Sequence, residues 1–302
     1  MDGPGPVDGG ERGDPSPVEH TGAVTRRNGT TIARTYSRQV ADAGGEWRSH
    51  VAFVDADGTV ETVIADDIDQ LVRGYSVQKL AVATAVLTKV DRGELDLGRT
   101  VEVTADDILG GSGIYLLQPV WGDHVTVANV LTAMLLVSDN TAVRLCGRLV
   151  PAREVNDILA AIGFVHTRVE PVADPYRFQL GVTTPRDTHE LLARLAARTL
   201  LAPASCDFLL RVLRALGGYH DGIRRDMSSA ERGRVATKHG ADFNARGAAR
   251  HEVGIVFSTS GGPALTYAFF AEALGDRDNY GGTHPGVRAH AALGRALLDA
   301  VG

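Results

Sequence analysis

At 302 residues, with 44% hydrophobic and 23% charged residues, the chain can bury a large core and falls in the range of one or two globular domains, which excludes a disordered or collagen-like protein. A net charge of −6 and a pI near 5.9, with no Lys/Arg cluster, exclude general attraction to nucleic acid or anionic lipid. The two cysteines, Cys146 and Cys206, each inside an expected helix, read as buried free thiols, and no Cys/His spacing suggests a metal site.

Residues Met1 to Asn28 are rich in Gly, Pro, Asp and Glu and contain no apolar run, so residues 1–28 are expected to form a disordered tail ahead of a domain over 29–302. Arg26-Arg27 is followed by the polar segment Asn28 to Ser37, where an export signal needs a hydrophobic one. No stretch is long and apolar enough to span a membrane, and a cytoplasmic protein is expected. Thr30 to Ala43 is patterned as an amphipathic helix ended by Gly44-Gly45. Val51 to Val54 and Thr59 to Ile64 are β-rich, with the tight-turn pair Asp57-Gly58 between them. A polar connection, Asp66 to Gly74, leads to Tyr75-Ser76-Val77-Gln78-Lys79-Leu80.

From Val77 to Val90 nearly every residue is apolar or small, which predicts a helix buried on all sides, with Gly93 as its stop. Ser76 stands at the mouth of that helix and Lys79 lies three residues on, on the same face. Desolvation lowers the pKa of such a lysine, and a neutral amine can take the proton of a serine nucleophile. By itself Ser-x-x-Lys is a weak signal, because composition supplies about one copy in a chain of this size.

Leu95 to Gly122 reads as loop, with Gly110-Gly111-Ser112-Gly113 as a flexible centre and Tyr115 just beyond it. Thr126 caps an apolar helix that stops at Ser138-Asp139-Asn140, residue types that also suit a plain helix–helix turn, and Asp139 can cap the helix from Asn140 to Leu149. Helices follow over Pro151 to Ile162, Thr184-Pro185 to Leu195, and Pro203 to Leu216, with a Pro-containing loop from Arg168 to Val182. Arg234 to Thr237, Glu252 to Phe257 and Ala264 to Phe270 change to a strand pattern, and Pro285 to Val301 is a last one-faced helix. Two early and three late strands, over about 46–66 and 230–272, make one antiparallel five-stranded sheet, with an all-helical insertion over about 75–220. The fold expected is mixed α/β (α+β), a three-layer sandwich.

Lys238-His239-Gly240-Ala241 lies on the first late strand, where the glycine allows a ligand to approach the backbone closely. In order, Ser76-x-x-Lys79, Ser138-Asp139-Asn140 and Lys238-x-Gly240 form the motif set of class A beta-lactamases and penicillin-binding proteins. From about Thr30 onward the chain resembles the class A serine beta-lactamase family, including Gly111-Ser112-Gly113-Ile114, Thr183-Thr184-Pro185-Arg186 and Arg250-His251-Glu252-Val253-Gly254. The resemblance implies that Ser76 is the acylated nucleophile, that Lys79 accepts its proton or orients it, and that Ser138 relays a proton to the departing nitrogen. It implies that Asn140 holds Lys79 and the substrate's side-chain amide, and that Lys238 binds the substrate carboxylate. The backbone N–H groups of Ser76 and Ala241 would form the oxyanion hole, Gly240 and Tyr115 would border the substrate, and either Arg250 or Arg246 would be a second carboxylate anchor. No cofactor or metal is implied, and the partner is a small-molecule acyl donor taken by a monomer.

Two positions depart from the family. His239 stands where a hydroxyl is expected, and an imidazole can carry charge near neutral pH. The loop that holds the family's deacylating glutamate is short here; Glu170 is its only glutamate, too early when aligned from Thr167-Arg168 and correct on Arg168-x-Glu170-Pro171. Three activities fit: hydrolysis of a beta-lactam or related amide or ester, acyl transfer or ester cleavage within a biosynthetic pathway, and lactam binding that acylates and then stalls.

Overall fold

The computed structural model describes residues 17–54 and 59–302, with side chains from residue 28 onward. Helix α1 (Pro17–Ala43) leads into strands β1 (Glu46–Val54), β2 (Val60–Asp66) and β3 (Val72–Arg73), then a 3₁₀ turn (Tyr75–Gln78) and helix α2 (Lys79–Asp91). Short strands β4 (Thr100–Glu102) and β5 (His124–Thr126) precede α3 (Val127–Leu136), α4 (Asn140–Leu149) and α5 (Ala152–Ala161). A hairpin of β6 (Arg168–Pro171) and β7 (Phe178–Thr183) is followed by α6 (Pro185–Ala196), α7 (Pro203–Leu213) and α8 (Ser229–Arg232). The chain closes with β8 (Val235–Asn244), β9 (Gly247–Phe257), β10 (Pro263–Leu274) and α9 (Pro285–Ala300).

The main sheet has the order β2-β1-β10-β9-β8 and every pairing in it is antiparallel, as expected for two early and three late strands. Both of its faces are covered, and the two-residue period of a strand divides the side chains between them. On β10, Tyr267, Phe269 and Ala271 join the core shared with α1 and α9, whereas Ala268 and Phe270 join the core of the helical layer. Helix α2 runs through that second core, and Lys79 to Thr88 are all buried.

Several boundaries differ from the sequence reading. Helix α1 begins at Pro17, so the expected tail over residues 1–28 overlaps it from residue 17; residues 1–16 lie outside the described residues, as does the expected Asp57-Gly58 turn. Extending a helix already anchored by Ile32 and Tyr36 adds one hydrogen bond per residue without a new nucleus. The expected loop from Arg168 to Val182 is the β6–β7 hairpin, whose β7 also pairs with β3. Gly110-Gly111-Ser112-Gly113 is a packing element and no hinge. A Cβ on Gly113 would fall 2.2 Å from Asp139 Oδ2, and one on Gly111 2.9 Å from Asn140 Nδ2. Both glycines have positive φ, at +121° and +101°.

Candidate active site

The 3₁₀ turn that carries Ser76 is fastened from three sides. Gly74 N donates to Gly181 O and Val77 N to Gly74 O, each at 3.1 Å. The buried Gln78 amide donates to Val182 O at 2.7 Å, which ties the turn to the hairpin. On the third side β8 presses against it at Gly240, where a Cβ would lie 3.0 Å from Val77 N and 3.1 Å from Gly74 O and Ser76 N. The close approach that Gly240 permits is therefore to the turn of Ser76, where the sequence reading assigned it to a ligand. Tyr75, just before Ser76, sits at φ +44°, a sparsely populated region for a bulky residue.

Ser138 links the other two motifs. It adopts φ +56° in the bend between α3 and α4. Asp139 fixes that bend: Oδ1 accepts from Ala142 N at 2.9 Å as the cap of α4, and Oδ2 accepts from Ile114 N at 2.6 Å and Tyr115 N at 2.9 Å. Lys79 Nζ donates to Ser138 O at 2.5 Å, Ser138 Oγ at 3.1 Å and Asn140 Oδ1 at 2.8 Å. Lys238 Nζ donates to the same Ser138 Oγ at 3.0 Å and to His239 O at 2.8 Å. The two ammonium nitrogens are thus no more than about 6 Å apart. Two unit charges at that distance repel by roughly 3 kcal/mol at an effective dielectric near 20, which disfavours both lysines being protonated together. Burial lowers the Lys79 pKa to about 7, against the opposing pull of Asp139. Burial and then Lys79 hold Lys238 well below its ordinary value, with Glu252 pulling the other way.

Ser138 and Asn140, which these lysines bond, line one cavity of about 810 Å³ together with Ser76, Ser112, Gly240 and Ala241. Tyr219, His239, Arg250, Tyr280 and His290 line it further back. The cavity thus holds a serine hydroxyl, Ser76, and a second hydroxyl, Ser138, shared by two lysines, residue types that can support nucleophilic chemistry.

The remaining expected site residues divide between the cavity wall and positions away from it. Tyr115 is 2% exposed, clamped by Asp139 through its backbone, and is not among the residues lining the cavity. Arg246 pairs with Glu46 at the surface, away from the cavity lining. Arg250 does line the cavity, yet its guanidinium donates to the carbonyls of Asp242, Ala249, Arg277 and Asn279 and lies 4.4 Å from the Tyr280 ring centroid. Glu170 faces Gln179 across the hairpin and pairs with Arg73 at 3.5 Å; Arg73 and Gln179 line the cavity and Glu170 does not. His239 stacks on Tyr219, centroids 3.8 Å apart. Burial and the two neighbouring lysines push its imidazole well below the usual range, so it is neutral where the sequence left room for charge.

Tyr219, His290 and Glu252 were not singled out as site residues from sequence. Glu252 carried a usable signal, a carboxylate directly before the apolar run Val253 to Phe257 of a central strand. Tyr219 and His290 carried none, since they come from a loop and the last helix. Among the described residues no group of three or more His, Cys, Asp or Glu side chains could hold a metal ion, and no helix is long and apolar enough to cross a membrane.

Comparison with known proteins agrees with this geometry. A sequence model described as the beta-lactamase enzyme family matches residues 33–301. Among solved structures, a beta-lactamase from Sphaerobacter thermophilus is 24% identical, covers 90% of this chain and 97% of its own, and superposes with a TM-score of 0.71. A beta lactamase from Xanthomonas campestris is 21% identical over 91% of this chain and 99% of its own, with a TM-score of 0.73. A representative of class A beta-lactamase from Bacteroides cellulosilyticus is 20% identical over 90% and 98%, with a TM-score of 0.71. No curated protein matches the sequence.

Proposed function

The chain belongs to the beta-lactamase enzyme family, and from that premise we propose that it is a serine hydrolase that opens beta-lactams, or related amides and esters, through an acyl-enzyme on Ser76. The observation that carries the reading is the convergence of Lys79 and Lys238 on Ser138 Oγ in the cavity that Ser76 lines. With its pKa near 7, Lys79 is substantially neutral at neutral pH and can take the Ser76 hydroxyl proton as Oγ attacks the carbonyl. The developing oxyanion is held by the N–H groups of Ser76 and Ala241, each donor worth about 10²–10³ in rate. The proton then passes from Lys79 through Ser138 Oγ to the departing nitrogen, along the bonds that join them. Lys238 takes the substrate carboxylate. Intact-mass spectrometry during reaction with a penicillin tests this: the protein gains the mass of the intact lactam, and Ser76→Ala abolishes the gain. Labelling that survives in Ser76→Ala removes the assignment.

The engagement of Glu170 by Arg73, outside the cavity lining, favours a second reading of how the acyl group leaves. On this reading release is slow, and the acyl-enzyme accumulates or passes its acyl group to an acceptor other than water. A burst followed by a slow steady state supports it; efficient turnover without a burst contradicts it.

A further inference from the structure

Resting on the acyl-enzyme reading above, we propose that the groove beside Asn140 and Gln179 is the subsite for the acyl side chain, and that it selects acyl donors whose side chain is an extended apolar group, alkyl or aryl.

Next to the cavity of Ser76 lies a second hollow, a groove of about 550 Å³. Its apolar lining comes from three elements: Leu109 from the loop between β4 and β5, Val143 from α4, and Val172, Tyr176 and Phe178 from the β6–β7 hairpin. Val143 and Phe178 back onto the core of the helical layer, whereas Leu109, Val172 and Tyr176 are 39%, 43% and 50% exposed. One exposed apolar side chain is ordinary; three gathered around one groove mark a surface that binds something. Asn140 and Gln179 line both the groove and the cavity, so the two hollows adjoin across these two side chains. A hollow of this size takes a substantial organic group.

Both long sides of the groove are pinned through the backbone. On one side Arg144 Nη1 donates to Asp106 O at 3.2 Å and Ile108 O at 3.1 Å, Arg177 Nη2 donates to Asp106 O at 3.0 Å, and Leu109 N donates to Thr141 Oγ1 at 3.0 Å. On the other side Asp174 closes the hairpin turn, its Oδ1 accepting from Tyr176 N at 2.9 Å and its carbonyl from Arg177 N at 3.0 Å. Pro175 O accepts from Ala152 N at 3.2 Å, and the turn lies so close on α4 that a Cβ on Gly147 would fall 2.2 Å from Tyr176 O. These anchors keep the two walls apart and leave their apolar side chains uncovered.

The same bonds decide what the groove can recognise. Arg144 and Arg177 line it, yet they donate to carbonyls, and Arg177 also pairs with Asp107 at 3.8 Å and Asp174 at 3.7 Å. Their charge is offset within the wall, and the chemistry left to a ligand is mainly apolar contact. Asn140 is engaged as well, Oδ1 accepting from Lys79 Nζ at 2.8 Å and Nδ2 donating to Gly110 O at 2.9 Å, so it is the fixed part of the divide. Gln179 is exposed, and its side-chain amide bonds no other group among the described residues; it is the part that yields to a chain passing from Ser76 into the groove. Ser138, proposed to serve the departing nitrogen, lines the cavity and not the groove, which leaves the acyl side chain as the portion of the donor directed here.

The test uses para-nitrophenyl esters of increasing acyl length, with para-nitrophenyl acetate as the reference uncharged ester, and reads the second-order rate of Ser76 acylation. Each methylene that reaches the groove should raise that rate about threefold to fourfold, so the octanoyl-to-acetyl ratio should be at least about thirtyfold. The same alkyl chain carried on the leaving phenol of an acetate ester should gain less than about threefold, since it points away from the groove. Tyr176→Ser and Leu109→Ser, at exposed positions on opposite walls, should each lower the octanoyl-to-acetyl ratio about tenfold. A flat chain-length profile, an equal gain from a chain on the phenol, or a ratio unchanged in both variants overturns the proposal while Ser76 still acylates. Absence of Ser76 acylation with every ester and with a penicillin would instead overturn the reading it rests on.

Discussion

Gly240→Ala tests whether the fit between β8 and the Ser76 turn sets the rate of acylation. The added carbon would stand 3.0 Å from Val77 N and 3.1 Å from Ser76 N and Gly74 O. Each contact is several tenths of an ångström short of comfortable van der Waals packing, and all three atoms are backbone. The turn cannot yield alone, since Gly74 N is bonded to Gly181 O and Gln78 to Val182 O. Strand and turn must therefore part, and the separation opens between Ser76 and Ala241, whose N–H groups are proposed to hold the oxyanion. Losing one such donor costs about 10²–10³ in rate, and partial misalignment should cost roughly ten- to a hundredfold. Overpacking costs a further 1–3 kcal/mol of stability, or about 2–10 °C in a chain of this size. Stopped-flow acylation by a chromogenic cephalosporin, with a thermal melt on the same sample, measures both. Acylation within twofold of the parent at an unchanged melting temperature would refute the reasoning.

Glu170→Gln should leave the burst intact and the steady state within about twofold, because Glu170 is held by Arg73 outside the cavity lining; a fall of two to four decades would reinstate it as the base. Acylation by the uncharged ester should rise about tenfold between pH 6 and pH 8 as Lys79, with its pKa near 7, becomes neutral; a flat rate would remove Lys79 as the proton acceptor. His50 and His189 stack with centroids 3.9 Å apart, both buried, and burial lowers their pKa values to about 4 and about 3. Each folded value lies below the unfolded one near 6.5. Their contribution is therefore complete above that pH and is lost as pH falls through 6.5 toward the folded values, by roughly 2 kcal/mol per imidazole at pH 5. The melting temperature should fall between pH 7.5 and pH 5, and His50→Phe should lessen the fall; a pH-independent melt would contradict this.

The grouping of the candidate site residues was legible where chemistry requires particular residues at fixed spacing. Lys79, Ser138, Asn140 and Lys238 are joined by hydrogen bonds, and Ser76 lines the cavity that Ser138 and Asn140 also line. The sheet was legible in its strand count and direction; the strand pattern marked only Arg234 to Thr237, the motif Lys238 to Ala241 was placed on the same strand, and β8 continues beyond both to Asn244. Lys238 to Asn244 carry little of the alternation that marks a strand, and pairing with β9 across Asn244↔Gly247 supplies what local propensity does not. The hairpin at Arg168–Thr183 was hidden for a related reason: its strands are short, and Gln78 and β3 stabilise it from distant parts of the chain. Tyr115 was misplaced because an aromatic beside a glycine run suggests a rim, whereas the carboxylate of Asp139 pulls that backbone inward. The state of His239 depends on Tyr219 and on burial, neither of which its neighbours in sequence disclose.

The splicing of the sheet from both ends of the chain bears on how the protein is made. β1 hydrogen-bonds β2 early in synthesis, but its other edge waits for β10, about 220 residues later. Helix α2, buried around its circumference, packs chiefly on α3, α4 and α5, which follow it directly in the chain, so the helical layer can form before the sheet is complete. Loop closure over that span is entropically slow, and the edge of β1 that pairs with β10 is the one left open during the delay. Because Gly240 braces the turn of Ser76, the acylation proposed at Ser76 would require β8 to have emerged and paired. Ser76, in the first third of the sequence, thus takes its setting from a strand in the last.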